Sequence, residues 1–591
     1  MNHQKLIIKP HLQHAFLIPT TKKFRLRLGH SHKLTSKTFL QRRNPNSFYH
    51  LPPLLKHQKF LFHLNLHLDW KRNYLTPKAL QLFAFMLKHF LTIKSLSLNF
   101  TSYGSGLLSV RSLTIYKSLF QNLRFLTELQ LDFSETEIYQ DDIYYLVQGI
   151  KSIPKLQILK INFSSCLGVT DKAINYLKKL LNRCSRLREL KLDLSLSPSF
   201  SKRRFHALCN ISLPQLQKLD LRILRNSDPY SIRGSSKLLT QCKNLQELSL
   251  CISRTRLDYL KRVIMRFSET LKVVKLKTAG LDSNEDITKG PNKENNENPF
   301  GFFSKIKNMK NLDLDFSHSK MSSQLLVNLM GALKSVKGLE GLGLNFYCCE
   351  GIEEKNNKYF GEMMENRANL KEFSMIIGAN SAENKKKITD KYFQGLHAGL
   401  LKLKSLQKFR FECWHNDNIT DNTVALFESV VSQQSNLTEL NLGFRYCVKL
   451  TDKVLKPLGS ILGKANGLKK FVMDFSDCPK MTGECFVGIC DATKQQKKLE
   501  VLSINLSKTQ VNDQGIKNIL SCIGRLKEVE INVERCVNIK NIELELGNLD
   551  KLERVELNFS GCNEIPAKQL KDLGIMFEHN GRNLTEFNLS R

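Results

Sequence analysis

The sequence predicts an α/β solenoid in which short parallel strands line one face and helices line the other. Three observations predict it. One short apolar phrase recurs along most of the 591 residues. Its apolar residues alternate, as they do in a strand with one buried face. The segments between two copies of the phrase carry apolar residues at helical spacing.

The predicted strands follow the pattern L-x-x-L-x-L-x-[FLIV]. In the copy that begins at Leu437, the alternating residues Leu440, Leu442 and Phe444 define one buried face. Most copies lie roughly 30 residues apart, a period typical of repeat proteins. Eighteen copies begin at Leu61, Ile93, Leu126, Leu156, Leu187, Leu216, Leu245, Leu271, Met309, Leu339, Leu370, Leu406, Leu437, Leu468, Leu499, Leu526, Leu552 and Leu584.

Helices are predicted between the copies. In DKAINYLKKLLNRC the apolar residues Ile174, Leu177, Leu180 and Leu181 form one stripe. Threonine and aspartate, as in Thr170-Asp171, precede such runs and are expected to cap the helix start. One strand and one helix cannot bury their apolar sides alone, so the units must stack on one another.

The phrase resembles the leucine-rich repeat family. The segments CLGVTD (166–171) and CVKLTD (447–452) resemble its cysteine-containing, RNI-like subtype. The resemblance implies a horseshoe with the parallel sheet on the concave face, helices on the convex face and about 18 repeats. The subtype is common in intracellular scaffolds and in substrate receptors of ubiquitin ligases. This chain places two extra residues before the cysteine, which predicts longer strands.

Composition excludes several classes of protein. No stretch reaches the length of about 18 apolar residues that a membrane span requires. The 15 cysteines include no C-x-x-C pair, which favours a reducing, cytoplasmic location over a secreted disulfide scaffold. The formal net charge of +35 favours acidic partners, among them RNA, acidic protein tails and anionic lipid.

Residues 1–58 form a separate basic segment, which we expect to be poorly ordered, and the repeat domain spans 59–591. The first 68 residues contain no aspartate or glutamate. Three hypotheses remain open for the segment. It is an arm that binds RNA or another polyanion, a mitochondrial transit peptide, or a start translated from non-coding sequence.

Two insertions near 282–300 and 378–389 interrupt the predicted repeats. The first is rich in asparagine and glutamate and has no apolar period, as in disordered loops. The last strand, at Leu584, lies close to Arg591, which predicts a truncated chain or a further subunit that covers this edge.

The cysteines are predicted to be structural rather than catalytic or metal-binding. Six of them occupy one position of the repeat, so stacking would space their thiols along a row. A metal ion needs thiolates that converge on one point. No catalytic motif is present, so we predict no enzyme activity, no cofactor and no metal. The six are Cys166, Cys349, Cys447, Cys478, Cys536 and Cys562.

The candidate partner-binding residues flank the third apolar residue of each copy and are expected to face outward. The basic part consists of Lys160, Lys191, Arg222, Lys275 and Lys277. The acidic part consists of Asp313, Asp315, Glu412, Asp474, Glu530 and Glu556. Complementary charge would orient a partner on such a bipolar face, although a solvated sheet with uncorrelated charges is the alternative. Asparagine at many remaining positions suits adaptable hydrogen bonding or reflects local composition.

The sequence thus predicts a non-catalytic intracellular scaffold that binds a protein partner on the concave face. One alternative is a polyanion- or RNA-binding component of a ribonucleoprotein or organellar assembly, which would bind through a basic convex surface and the N-terminal arm. A substrate receptor of a ubiquitin ligase is another, implied by the subtype alone.

Overall fold

The structure, a computed structural model, describes the chain in segments. The segments are residues 23–28, 63–68, 92–100, 117, 120–136, 138–197, 212–224, 242–253, 257–279, 298–349, 352–365, 367–379, 388–483, 486–542 and 549–590. The chain divides into two compact units, Met1–Val273 (unit 1) and Val274–Arg591 (unit 2). The predicted boundary at residues 58 and 59 and most of both predicted insertions lie outside the described residues, so they stay predictions.

Unit 1 is a parallel sheet in which strands pair in chain order. Its strands are β1 (Lys23–Leu28), β2 (His63–Leu68), β3 (Ser95–Asn99), β4 (Glu128–Asp132), β5 (Ile158–Asn162), β6 (Glu189–Asp193), β7 (Lys218–Ile223) and β8 (Glu247–Ser253). Its described helices are α1 (Gln140–Ile150), α2 (Asp171–Leu181) and α3 (Leu257–Met265).

Unit 2 repeats the same plan. Its strands are β9 (Val273–Ala279), β10 (Asn311–Asp315), β11 (Gly341–Tyr347), β12 (Glu372–Gly378), β13 (Lys408–Trp414), β14 (Glu439–Gly443), β15 (Lys470–Asp474), β16 (Val501–Asn505), β17 (Glu528–Asn532), β18 (Arg554–Asn558) and β19 (Glu586–Ser590). Its described helices are α4 (Ser323–Ser335), α5 (Asn357–Met363), α6 (Tyr392–Leu400), α7 (Asp421–Ser432), α8 (Leu455–Lys464), α9 (Val487–Gln495), α10 (Asp513–Ser521) and α11 (Ala567–Asn580).

The predicted α/β solenoid is confirmed within each unit. Each of the eighteen predicted strands is present and begins two residues after the first leucine of its copy. Strand β1 was not predicted, because Thr21 stands where the other copies have their first leucine. Its Phe24, Leu26 and Leu28 nevertheless alternate in the expected way.

The core lies between the sheet and the helices. Alternate strand residues such as Leu440 and Leu442 are buried, and the residues between them face the opposite, open side of the sheet. On the core side, Phe393 of α6 contacts Phe411 of β13 with ring centroids 5.3 Å apart. The face of the sheet that carries no helices is called the open face below.

The two extra residues of each repeat form a turn rather than a longer strand, so the prediction of longer strands is wrong for most repeats. In β5 the side chain of Asn162 accepts the Ser164 amide at 3.0 Å. Ser165 then adopts a left-handed conformation with φ 59°, and its amide donates to the Ser195 carbonyl of the next repeat at 2.8 Å. Asparagine and aspartate favour such turns because their side chains hydrogen-bond to the backbone two residues on.

The cysteine position supplies a hydrogen-bond donor to the preceding repeat. The Cys166 thiol donates to the Phe133 carbonyl at 2.9 Å, and the Cys478 thiol donates to the Phe444 carbonyl at 2.9 Å. We call this series the carbonyl ladder. Its other members are Ser197, Ser319, Cys349, Cys447, Cys536 and Cys562.

The ladder thiols are poor nucleophiles and poor metal ligands. Burial raises the pKa of Cys166 and of Cys562 to about 11, so both stay protonated near neutral pH. In the part of the chain that the structure describes, no group of histidine, cysteine, aspartate or glutamate could hold a metal ion.

The threonine-aspartate pairs link neighbouring repeats as well as capping helices. The Thr170 hydroxyl accepts the Ala173 amide at 3.4 Å, which confirms the predicted cap. Asp421, at the start of α7, accepts both the amide and the hydroxyl of Thr451 in the next repeat, at 2.8 and 2.7 Å.

Among the described helices, none is long and apolar enough to cross a bilayer.

Replacing Cys478 tests the carbonyl ladder. We expect Cys478→Val to destabilise unit 2 by about 1–3 kcal/mol, because the buried Phe444 carbonyl loses its donor. Cys478→Ser should cost much less, since Ser197 and Ser319 donate at the same position. Chemical denaturation of both variants checks this, and equal losses for valine and serine would contradict it.

Because the Asp142 carboxyl is buried, we expect the stability of unit 1 to depend on pH. Burial raises the pKa of its carboxyl from 3.8 to about 6, although the Tyr139 amide donates a 2.9 Å hydrogen bond to it. The folded state therefore favours the protonated acid, and this stabilisation is lost as pH rises from about 4 to 6. Asp142→Asn should raise the free energy of unfolding at pH 8 by up to about 3 kcal/mol, and the apparent Tm should rise with it.

At pH 4 the gain from Asp142→Asn should vanish, because the wild-type acid is then protonated as well. Asp141→Asn is the matched control, since Asp141 occupies the same helical turn and is exposed. Thermal unfolding followed by circular dichroism measures both variants. A gain that is equal at pH 4 and pH 8 would refute the assignment to Asp142.

Candidate functional site

The predicted basic residues lie on the open face, but carboxylates accompany them. In unit 1 the Lys160 amino group lies 3.0 Å from Glu189, and Lys191 lies 3.6 Å from Asp220. Arg222 contacts the same Asp220 at 3.4 Å. The remaining two members belong to β9 in unit 2.

In unit 2 the basic and acidic predictions meet directly. The Lys277 amino group lies 2.8 Å from the Asp315 carboxylate. Burial raises the pKa of Asp315, but hydrogen bonds from Lys277 and Ser317 outweigh it and lower the pKa overall. Burial raises the pKa of Asp313 overall, and the nearby charge of Lys275 offsets only part of that rise.

The predicted basic part of the face also contains carboxylates that the prediction did not consider. The first residue of each strand also faces outward, and the prediction left this row out. In β4, β6 and β8 that residue is Glu128, Glu189 and Glu247. Glu128 and Glu189 both contact Lys160, and Glu247 lies 2.7 Å from Lys218, so these two lysines are paired with carboxylates.

Several predicted acidic residues serve the fold. Asp315 and Asp474 end their strands and accept the amides of Ser317 and Ser476, each at 3.0 Å. Glu412 is buried and accepts a 2.6 Å hydrogen bond from Arg410. The asparagines Asn162, Asn345, Asn505, Asn532 and Asn558 accept turn amides in the same way.

Two of the predicted acidic residues, near the end of unit 2, are held only by exposed side-chain contacts among the residues that the structure describes. Glu556 lies 3.1 Å from Arg554, and Glu530 accepts a 3.1 Å hydrogen bond from Ser503. Both pairs are exposed, and exposed pairs of this kind contribute about 0–1 kcal/mol. Whether any of the predicted residues contacts a partner stays a prediction.

An aromatic cluster that the sequence analysis missed lies at the carboxyl ends of β10, β11, β13 and β14. It consists of His318, Tyr347, Trp414, His415 and Tyr446, all in unit 2. The Tyr347 and Trp414 rings meet edge to face at 5.1 Å, and His415 stacks on Tyr446 at 4.0 Å. Each of these four side chains is half-buried.

Gly378 allows the two largest rings to meet. In the register of β11, β12 and β13, Tyr347 lies beside Gly378, and Gly378 lies beside Trp414. Because the middle strand has no side chain there, the rings on either side contact each other across it. A Cβ atom at Gly378 would lie 2.4 Å from the Trp414 carbonyl oxygen, so only glycine fits.

Arg445 continues the row beyond Trp414. Its guanidinium carbon lies 5.7 Å from the centre of the Trp414 ring, within the range of a cation–π contact. Its Nε donates to the Ser476 hydroxyl at 3.0 Å and lies 3.4 Å from Asp474. Arg445 is therefore held in place by one edge of its guanidinium group.

The cluster also contains two groups of unusual chemistry. Burial and the neighbouring Cys348 raise the pKa of Tyr347 to about 12, so its phenol stays neutral at physiological pH. The Trp414 indole N–H is buried and has no hydrogen-bond acceptor among the residues that the structure describes. An unpartnered buried donor destabilises a fold, so packing alone does not explain an indole at this position.

A departure from the repeat pattern marks this site in the sequence. Most strands end in Asp or Asn, which starts the turn. At that position β12, β13 and β14 have Ile376, Glu412 and Gly443 instead. Strands β12 and β13 extend by two residues, and this extension brings Gly378 and Trp414 onto the sheet.

Comparisons with known proteins reveal little close similarity. No family model and no curated protein matches the chain. Among solved structures, the crystal structure of the Rad7 and Elc1 complex in yeast matches at 15% identity, with a TM-score of 0.38. The match covers 86% of this chain and 91% of that chain.

Gly378→Ala tests the contact between the rings. We expect a loss of about 1–3 kcal/mol, because the added methyl group would overlap backbone atoms that cannot move independently. In a Trp70→Phe background Trp414 is the one remaining tryptophan, and its emission should shift to the red as the ring becomes exposed. Gly463→Ala is the control, since a Cβ there meets nothing within 4 Å. Unchanged emission in the Gly378 variant would contradict the role of the glycine.

Proposed function

We propose that the chain is a non-catalytic protein-binding scaffold whose contact surface is the open face of unit 2, centred on the aromatic cluster. Tryptophan, tyrosine and arginine carry a large share of the binding energy in protein interfaces. Here Tyr347 and Trp414 end β11 and β13, and Arg445 lies beside Trp414 in the turn after β14. Their preorganisation reduces the entropy that binding would cost.

The adjacency of Tyr347 and Trp414 across Gly378 is the observation that carries this proposal. Both rings are half-buried, so each keeps an apolar surface that a partner can cover. The repeats elsewhere in unit 2 place short polar side chains at this level, for example Ser476 and Ser507. The cluster is therefore a local concentration of apolar surface on an otherwise polar face.

The absence of catalysis is part of the proposal. The row of thiols, the most reactive groups that the sequence analysis considered, is engaged with backbone carbonyls, and burial raises the pKa of Cys166 and Cys562. We also assign the chain to the cysteine-containing subtype of leucine-rich repeats. The carbonyl ladder and the link between Asp421 and Thr451 support that assignment. The ubiquitin-ligase alternative rests on the resemblance to this subtype alone.

Binding of RNA is the competing hypothesis, and it rests on the net charge of +35. On the open face of unit 1, Lys160, Lys191 and Lys218 are paired with carboxylates, which reduces their attraction for phosphate. Salt separates the two hypotheses, since phosphate contacts weaken steeply between about 50 and 200 mM salt.

Site-specific photo-cross-linking tests the proposal. With p-benzoylphenylalanine in place of Tyr446, we expect the full chain to form a defined protein adduct in extracts of its own cells. The same probe in place of Val487, which is exposed on α9, should not form that adduct. Adding Trp414→Ala to the Tyr446 variant should reduce the adduct at least tenfold. Mass spectrometry identifies the product.

Three outcomes would overturn the proposal. They are the absence of any adduct at position 446, an adduct of equal yield at Val487, and an adduct that disappears on nuclease treatment or at 200 mM salt. Circular dichroism of each variant verifies that the repeats remain folded.

A further inference from the structure

Arg445 is positioned to bind an anion from a partner. Its Nε edge is held by Ser476 and Asp474, and its plane lies near the Trp414 ring. Its two terminal amino groups make no hydrogen bond to any residue that the structure describes. A guanidinium group with two parallel N–H donors matches the two oxygens of a carboxylate.

A cationic ligand fits this position less well than an anionic one. An aromatic cage for a cation needs free ring faces. Arg445 already lies near the face of Trp414, and Lys508 lies 6.0 Å from the centre of the Tyr446 ring. The carboxylate of Asp474 is also engaged, since one oxygen accepts the Ser476 amide and the other faces Arg445.

We propose that the aromatic cluster binds an acidic segment of a partner protein, with one aspartate or glutamate paired to the terminal amino groups of Arg445. The proposal rests on the proposed function and names the chemistry of the partner. Next to that carboxylate the segment carries an apolar or aromatic residue, which covers the half-exposed rings of Tyr347 and Trp414. Ile376, half-buried on β12 at the edge of the cluster, extends the same apolar surface.

Charges on the neighbouring strands favour a short acidic segment over a nucleic acid. Glu528, Glu530 and Glu556 lie on the open face of β17 and β18. They would repel a continuous phosphate backbone laid across the sheet. A peptide that places one or two carboxylates at Arg445 avoids them.

Binding of synthetic polymers of known composition to the full chain tests the inference. The probe is a random copolymer of glutamate and tyrosine, and the comparison probes are a lysine–tyrosine copolymer and poly(U) RNA. Anisotropy of the labelled polymers reports binding to the wild-type chain. Emission of Trp414 in the Trp70→Phe chain reports whether the polymer reaches the cluster.

We expect saturable binding of the glutamate–tyrosine copolymer with a change in Trp414 emission. Arg445→Gln should weaken it about 10- to 100-fold, the usual range for a lost hydrogen bond to a charged group. Arg554→Gln is the matched control and should change it less than about twofold. Arg554 is an arginine on the same face, paired with Glu556. Arg445→Glu should reverse the preference toward the lysine–tyrosine copolymer.

The inference is wrong if the lysine–tyrosine copolymer or poly(U) binds the wild-type chain as tightly as the acidic copolymer. It is also wrong if Arg445→Gln behaves like Arg554→Gln, or if the acidic copolymer leaves Trp414 emission unchanged. These failures are distinct from failure of the proposed function. A cross-linked partner at position 446 that survives Arg445→Gln would keep the scaffold and reject only the acidic segment.

Discussion

Buried backbone carbonyls at the ends of the strands constrain the rest of this fold. Once a strand turns toward its helix, carbonyls such as those of Phe133 and Phe444 lie inside the stack, where water cannot reach them. The next repeat supplies a donor, through the thiol of Cys166 or Cys478 or through a serine hydroxyl, and the Phe133 carbonyl also accepts the Thr136 hydroxyl of its own repeat. The donor must be small and buried, which explains why cysteine recurs at this position. A repeat is therefore complete only when its neighbour is in place.

The same turn determines how much of the open face is free to bind. Where a strand ends in aspartate or asparagine, that side chain accepts an amide of its own turn, as Asp474 does from Ser476. In sequence such a residue looks like a surface charge available to a partner. In the structure its side-chain oxygen accepts a backbone hydrogen bond, so less of its charge is available to a partner. The open face is consequently less charged than its composition indicates.

The sequence was sufficient for the fold and insufficient for the site. Alternation within each copy located the strands, because burial of one face imposes the same spacing every time. Charge on the open face was misjudged, since Glu128 and Glu189 fall outside the two positions considered and their pairing with Lys160 depends on inter-strand register. The aromatic cluster depends on register still more. Tyr347 and Trp414 are far apart in sequence and meet only because β12 places Gly378 between them.

The site lies where the repeat departs from its own rule, and there is a physical reason for this. Strands β12, β13 and β14 lack the aspartate or asparagine that starts the turn in most repeats, as β7, β8 and β9 also do. Strands β12 and β13, like β11, run two residues further than the five-residue strands, so the side chains at their ends stay on the sheet instead of entering the turn. Trp414, at the end of β13, and Arg445, in the turn after β14, occupy the same position of neighbouring repeats, and neither side chain belongs to the carbonyl ladder. Side chains that the stacking does not need are the ones that can change to suit a partner, so a break in the structural pattern is the best indicator of function in a repeat protein of this kind.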